Sequence, residues 1–260
     1  MEQSKIDSRD LKILERANID KRYIREILDR MRVGHGSRIL DLGCGRGGST
    51  EIIQEYDDTY KVTGVDKRAD LIVVANKGKH GNTNYCVGDA TALDFAEATF
   101  DVVFSRMLFE VCNEVDQILD EMIRVVVENG TLAIMGNLST TPMIYPEPKH
   151  YGKYRISEER LLQKTKDTVY NPLSLVGKLK EREIKNVYFH PYYKTTLNCG
   201  KKDIYDYYFE NKSLEDNLLV KSMLMDAGEL EEFYNDFDRI MEQESTVVVY
   251  SQFYIIASRK

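Results

Sequence analysis

A cluster of glycines directly after a short apolar strand is the feature that most constrains this chain. Arg38-Ile-Leu-Asp-Leu42 reads as a strand, and Gly43, Gly45, Gly47 and Gly48 follow before a helical pattern resumes at Ser49. Glycines here let the chain turn sharply from strand to helix and let a ligand approach the backbone closely. The N-terminus of the following helix favours a negatively charged group. Alone the motif is ambiguous, because Gly43, Gly45 and Gly48 also satisfy the G-x-G-x-x-G dinucleotide fingerprint.

The pattern around the cluster is an alternation of strands and helices. Lys61–Val65, Asn84–Val87, Phe100–Ser105 and Thr131–Met135 read as further strands, with helices over Ser49–Tyr56 and Ala69–Lys77. Residues 113–127 form an amphipathic helix: Val115, Ile118, Leu119, Met122, Ile123 and Val126 fall on one stripe, and Asn129-Gly130 closes it. Such alternation over about 100 residues predicts a doubly wound α/β fold with a mostly parallel sheet. Residues 8–31 carry a helical pattern too, with a break near Asn18–Asp20 that splits it in two.

Beyond residue 137 the texture changes. Pro142, Pro146 and Pro148 break regular structure, and 13 of the 17 tyrosines lie in this half. A helix over Leu173–Lys180, a strand over Ile184–Phe189, a helical and acidic region over 201–244 and a β-branched strand over Thr246–Ala257 are expected there. The last can pair antiparallel with Ile184–Phe189. The expected organisation is a helical extension over 1–34, a ligand-binding core over 35–137, and acceptor-binding insertions with the C-terminal strands over 138–260.

Charge and composition exclude several classes. The 260 residues carry a net charge of −7, a poor match for a phosphate backbone, so nucleic acid is disfavoured. No apolar run is long enough for a membrane span, and the first ten residues do not resemble a signal peptide, so a cytoplasmic location is expected. Cys44, Cys86, Cys112 and Cys199 form no CxxC pair and no metal spacing with the histidines, so no metal is expected.

Three acids separate the readings of the glycine motif. Asp41 stands two residues before the first glycine, where two phosphates would repel a carboxylate and an amino group would attract it. Asp66 ends the second strand 19 residues past Gly47, where a ribose diol is gripped. Asp89 ends the third strand, placed to accept from an adenine amino group while the Ala90 N–H donates to the ring. Each taken alone also reads as an ordinary turn or strand-end acid.

With these motifs in place, residues 38 to about 137 resemble the class I S-adenosylmethionine-dependent methyltransferases. The resemblance rests on Ile39-Leu-Asp-Leu-Gly-Cys-Gly-Arg-Gly47, Gly64-Val-Asp66, Gly88-Asp-Ala90 and Phe100-Asp-Val-Val-Phe-Ser105. It implies a Rossmann-like seven-stranded sheet with a C-terminal antiparallel strand pair and insertions forming a cap. It implies S-adenosylmethionine as cofactor, with the methionyl part over the glycine loop, the ribose on Asp66 and the adenine near Asp89 and Ala90. The candidate cofactor contacts are Asp41, Gly43, Cys44, Gly45, Gly47, Asp66, Lys67, Asp89, Ala90 and Ser105, although Cys44 also reads as a small side chain in a tight loop.

The expected activity is methylation of O, N or S of a small-molecule acceptor, with the oligomeric state open. A peptide or protein methyltransferase and a non-catalytic cofactor-binding subunit are the alternatives, and a nicotinamide-dependent oxidoreductase is another within the fold. An amine or hydroxyl acceptor needs a base. His190, read as lying just past a strand, and His150, in the proline-rich insertion, are candidates; Glu110, after the fourth strand, is the third. Arg22, Tyr23 and Arg25 are expected on a segment that folds over the glycine loop, and 140–155 on a lid.

Overall fold

The computed structural model describes residues 8–138, 141–165, 171–209 and 218–259. These form two compact units, one of 1–136, 172–190 and 253–260, the other of 137–171 and 191–252. The expected third segment, 138–260, is thus shared between both units.

The first unit is built on parallel strands. β1 (Arg38–Leu42) pairs with β2 (Lys61–Asp66) and with β4 (Phe100–Arg106); β2 pairs with β3 (Thr83–Val87), and β4 with β5 (Val126–Asn137). Ile39, Leu40 and Leu42 are fully buried, as expected of a central strand covered on both faces. The helices of this unit are α1 (Ser8–Met31), α2 (Gly48–Tyr56), α3 (Ala69–Lys77), α4 (Val115–Val125) and α6 (Pro172–Glu181). The apolar stripe of α4 buries Ile118, Leu119, Met122 and Val125.

The second unit contains β6 (Met143–Tyr145), α5 (Tyr151–Thr165), α7 (Lys201–Phe209) and α8 (Ala227–Met241). Its core gathers Ile144, Tyr154, Phe233, Phe237 and Val248. A reciprocal cap between Asp226 and Glu229 starts α8. Two strands, β7 (Lys185–Thr195) and β8 (Val247–Ser258), run through residues of both units. The strand order is β3-β2-β1-β4-β5-β8-β6, with β7 also on β8. β6 and β8 are antiparallel.

Four expectations are corrected. The sheet has eight strands rather than seven, the addition being β6. The proline-rich segment holds regular structure, β6 and α5, around a cis Tyr145–Pro146 peptide. α1 runs unbroken through Asn18–Asp20, because the Asp20 carboxylate is committed to Arg106 instead of competing for helix backbone. Asn129-Gly130 does not close α4, which ends at Val125; it lies in β5, where the register against β4 shifts. A Cβ at Gly130 would lie 2.7 Å from Val126 Cγ2 and 2.9 Å from the Asp101 carbonyl oxygen, so that irregularity needs glycine. Part of the expected helical region 201–244, residues 210–217, lies outside the described residues.

Candidate active site

The glycine loop follows from the end of β1. Gly43, Gly45 and Gly47 take φ of 76°, 55° and 88°, the left-handed region in which a Cβ is strained. Gly43 N and Cys44 N both donate to Val65 O, at 2.8 and 3.0 Å, tying the loop to the end of β2. Gly45 N donates to Asp66 Oδ2 at 2.9 Å, and Arg68 N donates to Asp66 Oδ1 at 2.9 Å. The acid expected to hold a ribose therefore also shapes the loop. A Cβ built at Gly45 would meet nothing within 4 Å, so the backbone there faces open space.

Gly47 is glycine for a second reason. The Tyr85 ring lies against it and against Gly64: Cβ atoms there would come within 2.5 Å and 2.7 Å of Tyr85. The Tyr85 hydroxyl donates to Glu51 Oε1 at 2.5 Å, and burial raises its pKa above the usual phenol range.

Asp41, in β1 two residues before Gly43, is buried. Thr50 Oγ1 donates to its Oδ2 at 2.6 Å, whereas Oδ1 is buried without a hydrogen-bond partner. Burial pushes the carboxyl up to about 6, against the opposing effects of Thr50 and Arg106. Arg106, at the end of β4, donates to Ser49 Oγ and to Asp20 Oδ2, each at 2.8 Å. Asp20 is fully buried, so this pair joins α1 to β4 beneath the start of α2.

Beyond the ends of β1, β2 and β3 lies a cleft of about 310 Å³. Gly43, Asp66, Lys67, Asp89 and Ala90 line it, so five expected contacts converge there. Thr91 donates from both its backbone N–H (2.8 Å) and its hydroxyl (2.7 Å) to Asp89 Oδ1, which holds that carboxyl below the usual range and leaves Oδ2 outside the turn. The apolar wall comes from Leu71, Leu108, Val111 and Ile118, with Cys112 beside them. Leu108 also packs over Gly43, where a Cβ would lie 3.0 Å from it. Sequence reading missed this wall. Val111, 75% exposed in the loop after β4, is an apolar side chain with no core to serve.

The other expected residues lie off the cleft. Cys44 turns its side chain into a core cluster with Ile72, Ala75 and Tyr85, and burial raises its thiol pKa far above the usual range. Gly45 and Gly47 shape the loop without lining the cleft. Ser105 is buried between Leu42 of β1 and Ile134 of β5, its Oγ without a hydrogen-bond partner.

Among the candidate bases, His190 does not follow a strand. β7 continues through Pro191 to Thr195, which places His190 inside it. Its Nδ1 lies 3.0 Å from the Tyr188 hydroxyl and its ring packs against Tyr254, away from the cleft. His150 Nε2 is 3.3 Å from Glu232 Oε2, within the second unit. Glu110 belongs to the loop after β4 that supplies Leu108, Val111 and Cys112. Arg22 and Arg25 are exposed on α1, while Tyr23 is buried. Among the described residues no group of His, Cys, Asp and Glu is arranged to hold a metal, and no helix is long and apolar enough to cross a membrane.

Five parallel strands, a glycine loop after the first and acids ending the second and third are the arrangement expected of a class I S-adenosylmethionine-dependent methyltransferase domain. Residues 40–134 match the family described as methyltransferase domain. Phosphoethanolamine N-methyltransferase 1 of Triticum aestivum is 33% identical over 85 residues, 32% of this chain and 17% of that protein. Trans-aconitate 2-methyltransferase of Azoarcus sp. is 28% identical over 141 residues, 54% of this chain and 53% of that one. Among solved structures, phosphoethanolamine N-methyltransferase 2 of Haemonchus contortus, in complex with phosphomonomethylethanolamine and S-adenosylhomocysteine, aligns with a TM-score of 0.59 at 18% identity, covering 92% of this chain and 52% of that one. The chain spans about half or less of the length of these relatives.

Proposed function

We propose that this protein transfers a methyl group from S-adenosylmethionine to O, N or S of a small-molecule acceptor. The observation that carries the reading is the convergence of Gly43, Asp66, Asp89 and Ala90 on one cleft with an apolar wall. Asp66 would hold the ribose diol, and Asp89 with the Ala90 N–H would hold the adenine, enclosed by Leu71, Leu108, Val111 and Ile118. The open backbone at Gly45 supports a ligand lying over the loop. The unpartnered Oδ1 of Asp41 suits a cofactor carrying an amino group and opposes one carrying a pyrophosphate.

The donor supplies an activated methyl group on a sulfonium, so the protein's task is to align the acceptor and exclude water. The glycine loop and the two acids fix the donor. An amine or hydroxyl acceptor also needs a proton acceptor; of the expected bases Glu110 alone belongs to the loop that builds the cleft wall, and Glu114 of the same loop lines the cleft itself. Acceptor selection is assigned to the segment 138–260. The relatives' names carry acceptors as different as phosphoethanolamine and trans-aconitate, which supports a small-molecule acceptor without choosing among them.

Titration calorimetry with S-adenosylhomocysteine and with NAD tests the cofactor, and incubation with methyl-labelled donor and a metabolite extract tests the transfer. S-adenosylhomocysteine binding well above NAD, with label in small products, is the expected result. Tighter binding of NAD would overturn the assignment.

A further inference from the structure

One ion pair in the first unit is built unevenly. Asp20 of α1 is fully buried, whereas the side chain of its partner Arg106, at the end of β4, keeps 18% exposure. Arg106 Nε donates to Ser49 Oγ and Nη1 donates to Asp20 Oδ2, each at 2.8 Å. A guanidinium carries five N–H donors in one rigid plane. These two bonds fix that plane, and among the described residues Nη2 donates to no acceptor.

The place of the guanidinium in the fold gives its unused donors a meaning. Ser49 lies in the first turn of α2, directly after the glycine loop, and Gly47 at the N-cap supplies no side-chain cap. The loop backbone at Gly45 faces open space. Arg106 also stands near enough to Asp41 to draw that carboxyl down against the rise caused by burial. An acid with an unpartnered Oδ1 and a guanidinium with an unused Nη2 thus flank the same loop. The pair complements a zwitterion: an ammonium suits the acid, a carboxylate suits the guanidinium, and an α-amino acid carries both on one carbon.

We propose that Arg106 receives the carboxylate of the methionyl part of the methyl donor, with Asp20 as the positioning residue that holds the guanidinium. The inference rests on the reading of the cleft as an S-adenosylmethionine site. A carboxylate brought beside Asp41 is repelled unless a cation offsets the two charges, and Arg106 is the cation that acts on Asp41. Arg22 and Arg25, expected over the loop, are exposed on α1 and would have to be ordered on binding. Arg106 is already held by two hydrogen bonds, so it gives up little side-chain freedom when a ligand arrives. On this assignment α1 serves the cofactor through Arg106 rather than by touching it.

Titration calorimetry of the full chain with S-adenosylhomocysteine and with its decarboxylated analogue, which keeps the amine, tests this. The proteins are the parent, Arg106→Lys, and the double variant Asp20→Asn with Arg106→Gln. Lysine keeps a charge opposite Asp20 and the double variant leaves no buried charge unpaired, and melting curves show that each is folded. The parent is expected to prefer S-adenosylhomocysteine over the analogue by about 30-fold, as one charged contact provides. Lysine, without the planar fork, is expected to keep only part of that preference. In the double variant the preference is expected to fall to about twofold or less, with affinity for the analogue unchanged within the same margin. A preference undiminished in the folded variants, or absent from a parent that binds both ligands, overturns the role of Arg106 and leaves the cofactor reading standing. Equal loss of both ligands would mark a merely structural pair and overturn it too. A parent protein that binds neither ligand overturns the cofactor reading, and this assignment with it.

Discussion

The buried carboxylate of Asp41 should make this protein less stable than it needs to be. Burial pushes its carboxyl from 3.8 to about 6. Between those two pH values the folded chain keeps a proton that the unfolded chain has released. Stability therefore falls as pH rises through this window, and the full cost is present above about pH 6. A shift of this size corresponds to about 3 kcal/mol at 1.36 kcal/mol per unit. Asp41→Asn removes the charge and keeps an oxygen to accept from Thr50, but its amide nitrogen stands where Oδ1 has no partner, at a cost of about 1 kcal/mol or more. The variant is expected to be more stable than the parent by about 1–2 kcal/mol at pH 8 and to lose that advantage by pH 4. Losing a charged acceptor should also weaken S-adenosylhomocysteine binding by roughly 10- to 150-fold, at about 1.5–3 kcal/mol. Urea denaturation at both pH values and calorimetry at pH 8 measure the two effects. A variant no more stable than the parent at pH 8, or one with the parent's pH dependence, would refute the reasoning.

Two further substitutions test neighbouring parts of the site. Asp66→Ala should weaken S-adenosylhomocysteine binding by about 3 kcal/mol, roughly 150-fold, and should also lower the melting temperature because Gly45 N and Arg68 N lose their acceptor; unchanged affinity in a folded variant, read by calorimetry, would remove Asp66 from the ribose. Asp20→Ala strands Arg106 and should cost about 3 kcal/mol in urea denaturation, with Asp20→Asn losing less; equal stability of the three proteins would mean that the pair does not anchor α1.

Legibility from sequence followed the range of the interactions. β1 to β4, the glycine loop and the body of α4 announce themselves in short patterns of residue type, so spacing locates them even though the strands pair across 20 or more residues. α5 does not. It packs Tyr154 against Phe233, ring centroids 4.3 Å apart across 79 positions of sequence, and the prolines before it read as a breaker. Pro191 misled in the same way. It reads as the end of a strand after Phe189, yet β7 pairs only with β8 and a proline is tolerated on such an edge. That single misreading moved His190 from strand interior to a presumed catalytic position. Of the cleft, the acids and glycines were legible because their chemistry is unusual at strand ends. The wall from Leu108 to Ile118 was not, since apolar side chains there look the same whether they serve a core or a ligand.

The contact of Tyr85 with Gly47 and Gly64 bears on the order in which such a site can change over time. While the tyrosine is present, even a methyl group at either glycine collides with its ring. Replacing Tyr85 by a small residue first would clear the space at Gly47, which would keep its strained backbone, whereas at Gly64 the Cys44 sulfur, 2.9 Å from a Cβ, would still have to shift. Substitutions at these three places are therefore not interchangeable in sequence. The ring fits only while both positions are glycine, and both the ring and the Cys44 thiol must move before a side chain can return at Gly64. A large aromatic packed against two glycines thus acts as a ratchet on the history of the loop.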